Sequence, residues 1–272
     1  MKISMVSTLL LCTLLLVFAV PAHSQAVPPG KQYLDMSRAE RAVFIGEQAR
    51  RIARELSGSE YEFTPEFEHD ILRQVTQYAQ RTGKTASERG GKSDLRLVFA
   101  RGQANAPAVM AAFQARNLSP LFGLYLAWIE SEFVNLEAFG PMGAIGMFQF
   151  LPATGERYGL TKQDLLDTAK SADAAARYIG DSLQAFNNDP MKEALAIGAY
   201  NQGAQRIARE LQILLNDQNK RCSICALTAD RSKVDEVLGH EKVFYVPRFF
   251  AAAIVGENPQ TFGLQMRPLS SY

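Results

Sequence analysis

Apolar residues recur at i, i+3 and i+4 along most of residues 37–257, and no stretch alternates apolar with polar over several residues. Period 3.6 gathers apolar side chains onto one stripe of a helix and leaves a strand no dry face. Such a chain can close a core only by packing helices on helices. Helix boundaries are also written in the sequence. Ser37-Arg-Ala-Glu40 is a capping box; the helix it opens runs through Phe44, Ile45 and Ile52 to Leu56 and stops at Gly58. Thr64-Pro65 supplies a cap and a proline at the first helical position, ahead of a core stripe of Phe67, Ile71, Leu72, Val75 and Tyr78 that ends near Gly83. Residues 82–92 are polar and contain glycine, and read as a loop. Two short helices are predicted over 95–100 and 107–116, the second opening on Pro107. Later helices are predicted from Ser119-Pro120, over 153–158, 172–186, 191–200 and 204–216, and from Pro247 to Gly256. The expected fold class is all-α.

The first residues point to export. Lys2 precedes an apolar run over 5–20, followed by Pro21-Ala22-His23-Ser24 with small residues at 22 and 24, the layout of a secretory signal peptide cleaved after Ser24. The run is shorter than the ~20 residues that span a bilayer, so no transmembrane anchor is expected after cleavage, and the expected location is the periplasm. Residues 25–36, with Pro28-Pro29-Gly30, read as a disordered leader. Lys and Arg number 29 against 28 Asp and Glu, a balance that offers no electrostatic footprint for nucleic acid. Cys222-Ser-Ile-Cys225 reads as a local disulfide in an oxidising compartment. A redox CxxC would want a surrounding βαβ pattern, and a zinc site would want a second ligand pair. No metal ligand and no cofactor is expected.

Two acids stand out in Trp128-Ile-Glu130-Ser131-Glu132-Phe133. Phe122, Tyr125, Leu126, Ile129 and Phe133 make an apolar stripe, and at about 100° per residue Glu130 and Glu132 fall on its opposite flanks. A carboxyl half-buried beside aromatic surface is raised in pKa, as a general acid near neutral pH requires. Two solvated acids would show the same spacing, and helical geometry does not choose between the pair. The loop beyond them, Gly143-Ala-Ile-Gly146-Met147-Phe148-Gln149, combines glycines that admit close backbone approach with an amide able to bind sugar hydroxyl and N-acetyl groups.

Together these segments resemble a known family. Glu130-Ser131-x-Phe133, Gly143-Ala-x-Gly146-Met-Phe-Gln149, Pro152-Ala-Thr154, Tyr158-Gly-Leu160, Ala199-Tyr200-Asn201-x-Gly203 and His240-Glu241-x-x-x-Tyr245-Val246 are similar in order, type and nearly all spacings to the soluble lytic transglycosylase (SLT) family. The glycine loop ending in an aromatic residue and Gln, and Asp167-x-x-Lys170-Ser171 before Ala174-Ala175, resemble its membrane-bound lytic transglycosylase D branch. The resemblance covers about residues 118–264. It implies a lysozyme-like helical catalytic lobe over 117–268, with an additional helical segment over 37–116.

The same resemblance singles out Glu130, the glutamate before the serine, and leaves Glu132 at a variable, solvated position. It implies that Glu130 acts alone, first as acid and then as base, to cleave the bond between N-acetylmuramic acid and N-acetylglucosamine in peptidoglycan glycan strands and close a 1,6-anhydro ring. Gln149 would bind the sugar, Met147 and Phe148 would shape the groove wall, and Tyr200, Asn201 and Tyr245 would line the cleft, Tyr200 close to Glu130. His240 is assigned no catalytic role. Many family members carry a serine nine residues after the glutamate, where Phe139 and Gly140 stand here, and their Glu-to-Gln spacing is one residue shorter. Three alternatives stay open: a goose-type-lysozyme-like hydrolase, for which Glu137 or Asp167 would be the second acid; a non-catalytic peptidoglycan-binding scaffold; and a specialised enzyme working with a cell-wall machinery partner.

Overall fold

The computed structural model describes residues 30–85, 87, 92–138, 140, 142–214, 222–226 and 243–272. Among the described residues there are nine α-helices: α1 (Arg38–Ser57), α2 (Pro65–Ala79), α3 (Leu95–Gln114), α4 (Pro120–Ser131), α5 (Pro152–Arg157), α6 (Thr168–Ala185), α7 (Lys192–Gln202), α8 (Ala204–Leu214) and α9 (Tyr245–Glu257). The extended backbone among them is one isolated bridge between Ile145 and Phe150. The fold is all-α, as the periodicity requires. The segment expected to be a signal peptide, and His240, lie outside the described residues.

Local chemistry accounts for most helix ends. Ser37 accepts from the Glu40 backbone N–H while the Glu40 carboxylate accepts from the Ser37 N–H at 2.7 Å, and Gly58 closes α1 in the left-handed conformation at φ 76°. Such a cap is worth about 1 kcal/mol. Thr64 caps α2 and Asp94 caps α3. Asp167 accepts from the Lys170 N–H and starts α6 at Thr168, four residues before the expected 172.

Three expectations are corrected. The two short helices predicted over 95–116 are one helix, α3, with Pro107 inside it. Proline removes one intrahelical bond and leaves the carbonyl four residues back unpaired. Here both Pro107 and Gln103 lie on the exposed face, so that carbonyl reaches water while the opposite face packs on α4 and α6. The last helix begins at Tyr245 rather than Pro247, since a proline in a first turn forfeits no helical bond. Residues 30–36 of the expected leader are ordered. Tyr33 is fully buried, its ring against Phe44 and Phe262 and its hydroxyl 2.9 Å from that of Thr76.

Helices α4 and α9 form the centre. Every residue over 121–128 of α4 is buried, and α9 is buried throughout except at Arg248. A helix apolar all round must be covered on all sides. Helices α1, α2 and α7 cover α9, α3 and α6 cover α4, and α8 packs on α7. The Trp128 ring lies 5.4–6.2 Å from those of Phe99, Tyr78, Tyr125 and Phe133. The hydrophobic core runs without a break from the helices of 37–116 into those that follow.

Close approach between the two central helices depends on Gly256. A Cβ there would overlap the Tyr125 ring and hydroxyl, and Tyr125 is pinned because its hydroxyl donates to the buried Glu257 carboxylate. Gly256→Ala is therefore expected to destabilise the protein by about 1–3 kcal/mol, the usual cost of overpacking. Thermal denaturation checks this, and an unchanged Tm would show that α4 and α9 can part at no cost.

Candidate active site

Glu130 occupies the last turn of α4, and the helix ends one residue later, at Ser131. Its position follows from the helix's composition. With 121–128 wholly apolar and covered, a polar side chain fits only where the helix runs out of core. Glu130 is half-buried, and Tyr245, from the first turn of α9, donates its hydroxyl to Glu130 Oε1 at 2.5 Å. Burial raises the Glu130 pKa above the ordinary carboxylate value, while the Tyr245 bond and the positive charge of Arg248 pull it down. The Tyr245 hydroxyl is itself held well above its ordinary pKa, by burial first and by the Glu130 charge second. It therefore stays protonated and stays a donor. Tyr200 is raised in the same way, with Glu130 as the leading charge acting on it, so both tyrosines sit within electrostatic reach of the acid.

Glu132 is not the mirror image of Glu130 that a helical wheel suggests. It is the residue that ends α4, at φ 52° in the left-handed region, and Phe133 follows at φ 61°. Its side chain is not solvated, correcting the sequence expectation. Arg81 donates to Glu132 Oε1 at 2.5 Å, and Arg101 lies 3.5 Å from Oε2.

The glycine loop folds back beside the acid. Ile145 and Phe150 exchange backbone hydrogen bonds of 2.9 and 3.0 Å, closing a four-residue turn over 146–149. Within that turn side chains bond each successive carbonyl. Gln149 Nε2 donates to Gly146 O at 2.7 Å, Ser131 Oγ to Met147 O at 2.7 Å, and the Tyr200 hydroxyl to Phe148 O at 3.0 Å. Asn135 Oδ1 accepts from the Met147 N–H at 2.9 Å. Gly146, at φ 79°, admits no side chain, because a Cβ would collide with the Leu165 carbonyl. The loop is thus tied to the end of α4 through Ser131 and to α7 through Tyr200.

The expected site residues fall into two groups. Glu130, Tyr245, Tyr200 and Gln149 are linked through the bonds and charges above, and exposed Asn201 follows Tyr200 on α7. Met147 and Phe148 are different. They are 1% and 0% exposed, so their side chains are core packing behind the turn and not a groove wall. Both side chains pack inward while the carbonyls of the same two residues accept from Ser131 and Tyr200. Asp167 is engaged as the cap of α6, and Glu137 is exposed. Cys222 and Cys225 are joined in a disulfide that sits against other elements: the Thr64 N–H at the start of α2 lies 3.3 Å from Cys225 Sγ, and Ser223 donates to Asp189. Arg248 and Asn135 were not anticipated. Arg248 could have been found as the basic residue three after Tyr245 on one helix, its guanidinium 5.6 Å from the Tyr245 ring; nothing local marks Asn135.

A carboxyl whose pKa is raised in the folded state contributes stability at pH below its unfolded value and loses it as the pH climbs through the folded value. Glu130→Gln, which keeps the shape and removes the charge, is therefore expected to raise Tm at pH 7, and the gain should shrink as the pH falls from the folded value toward about 4.3, the ordinary Glu value, and be gone below it. Melting curves of both proteins across pH 3–8 test the sign. A mutant less stable at pH 7 would mean that the carboxylate is welcome where it sits.

Residues 107–221 match the family model of the transglycosylase SLT domain. No curated protein matches the chain. The matched stretch begins within α3 and contains Glu130, the 146–149 turn, Tyr200 and Asn201, while Tyr245 lies beyond it. With its all-α, lysozyme-like fold, the chain carries over residues 107–221 a domain similar to the transglycosylase SLT domain, which supports a relation to the soluble lytic transglycosylases.

Proposed function

We propose that this protein cleaves the β-1,4 bond between N-acetylmuramic acid and N-acetylglucosamine without water, leaving 1,6-anhydro ends, with Glu130 as the single acid and then base. The observation that carries this reading is the setting of Glu130. Burial raises its pKa above the ordinary carboxylate value, and among the described residues the groups acting on its charge are a tyrosine and an arginine, not a second carboxylate. Hydrolysis ordinarily pairs two carboxyls across the bond. A lone acid fits a reaction in which the substrate supplies its own nucleophile.

Tyr245 donates to Oε1, so the acidic proton is carried on Oε2. That proton passes to the oxygen leaving with N-acetylglucosamine as the C1–O bond breaks. The resulting carboxylate, stabilised by the Tyr245 bond and by Arg248, then takes the proton of the muramic C6 hydroxyl as that oxygen bonds to C1. Glu130 ends as it began. The attack is intramolecular, with the high effective concentration this brings. Gln149 is oriented by its bond to Gly146 O, and an amide so held keeps a second N–H and its carbonyl for an N-acetyl group or hydroxyl. Exposed Asn201 is a second polar contact for the sugar, with Tyr200 beside it. Met147 and Phe148 support the turn from behind.

This chemistry requires access to the wall, and the charged start and apolar run over 1–24 supply an export signal to the periplasm. Among the described residues no helix is long and apolar enough to cross a membrane. The likeness to the D branch rests on the glycine-loop and Asp167-Lys170-Ser171 motifs.

The test is to incubate residues 25–272, and the Glu130→Gln form, with isolated sacculi and identify released muropeptides by mass spectrometry. The expected products are one water lighter than hydrolytic ones. The mutant should release them at least about a hundredfold more slowly, the scale of a lost general acid. Reducing-end products would overturn the anhydro mechanism, and equal release by both forms would remove Glu130 from it.

A further inference from the structure

Resting on the reading of Glu130 as the acid, we propose that Arg81 and Arg101, from the helical segment that precedes the matched domain, are positioning residues that hold the left-handed turn after Ser131 and thereby fix where Glu130 points. The turn is unusual. Two consecutive non-glycine residues, Glu132 and Phe133, both have positive φ, at 52° and 61°, a conformation that L side chains resist. It persists only where the surroundings over-determine it, and here they do so from outside the helix.

Arg81, 5% exposed, follows α2. Its Nη2 donates to Glu132 Oε1 and to the Ser93 carbonyl, both at 2.5 Å, and its Nε donates to the same carbonyl at 2.8 Å. Arg101, on α3, donates from Nε to the Glu132 backbone carbonyl at 2.8 Å and from Nη2 to Ser93 Oγ at 3.0 Å. The two guanidiniums therefore grip both the side chain and the main chain of Glu132 and are joined to each other through Ser93. Neither touches Glu130. Glu132 is two residues from it, and Ser131, between them, ties the turn over 146–149 to the helix end through Met147 O. If the turn relaxes, the acid and the loop move together. Glu132 is thus a handle by which the N-terminal helices set the geometry of the acid, and a glycine in its place would take the same φ without any clamp.

The experiment compares wild type, Arg81→Met and the double variant Arg81→Met/Glu132→Gly. Two measurements are made: steady-state muropeptide release, whichever end the product carries, and hydrogen–deuterium exchange of peptides covering 126–134. Arg81→Met is expected to lower kcat by roughly tenfold to a hundredfold, the scale of a misplaced catalytic group, with KM within about twofold, and to speed exchange at 129–134. The double variant should recover both kcat and protection, because glycine removes the strain that the clamp resists. A purely structural role would lower Tm in both variants without that recovery. Unchanged kcat and exchange in Arg81→Met, or a loss that persists in the double variant, overturns the proposal. If wild type releases no product, the functional reading fails and the exchange comparison alone decides the clamp.

Discussion

A carboxyl at the edge of a dry core governs this molecule. Moving a carboxylate out of water costs several kcal/mol even after relaxation, so a fold that buries one must hold it neutral or surround it with donors. At Glu130 burial raises the carboxyl's proton affinity and Tyr245 supplies a donor. Helix α4 is apolar around its whole circumference, which forces α3, α6 and α9 to enclose it and leaves its last turn as the one place where an acid fits. Helix α9, as fully buried, brings Tyr245 to that place as a donor whose own proton is secured by burial. The packing of two apolar helices and the proton affinity of one glutamate are therefore a single fact.

The turn over 146–149 extends the argument to backbone. A buried loop must find partners for its peptide groups, and here they come from side chains around the site: Gln149, Ser131 and Tyr200 on three successive carbonyls, and Asn135 on an N–H. The residue types that the motif demands are thus needed first to fold the turn. Gln149, Ser131 and Tyr200 each spend a side-chain donor on this turn. Gly146 is required for a steric reason, since the Leu165 carbonyl occupies the space of a side chain.

What could be read from the sequence was local. Capping at Ser37 and Thr64 and the stop at Gly58 follow from residues within four positions of one another, and the structure has them where expected. The choice between Glu130 and Glu132 could not be made that way, because a helical wheel assumes that the helix continues and α4 stops between them. Pro107 read as a boundary because its lost bond is a local cost, while the solvent on one face and the packing on the other that offset it are tertiary. The resemblance puts Met147 and Phe148 on a groove wall, and nothing local in a glycine loop says which of its sides is the core. The Arg81 and Arg101 contacts span 51 and 31 residues, and no pattern in the chain announces them.

These long-range contacts bear on why the acid is held so tightly. Left-handed backbone at 132 and 133 costs roughly 1–2 kcal/mol per residue, and an imperfectly hydrated carboxyl adds to that. Removing one partner of a fully buried ion pair costs about 3–5 kcal/mol, and the pair of Arg81, 5% exposed, with Glu132, 23% exposed, lies toward that end and so is strong enough in scale to hold the turn against its strain. Surface ion pairs, worth at most about 1 kcal/mol, would not be. The site's strain and its restraint are thus of comparable size, and the restraint comes from a different stretch of chain than the strain. A fold arranged so can stop α4 abruptly, turn the chain toward the glycine loop within two residues, and still keep the carboxyl of Glu130 in one place.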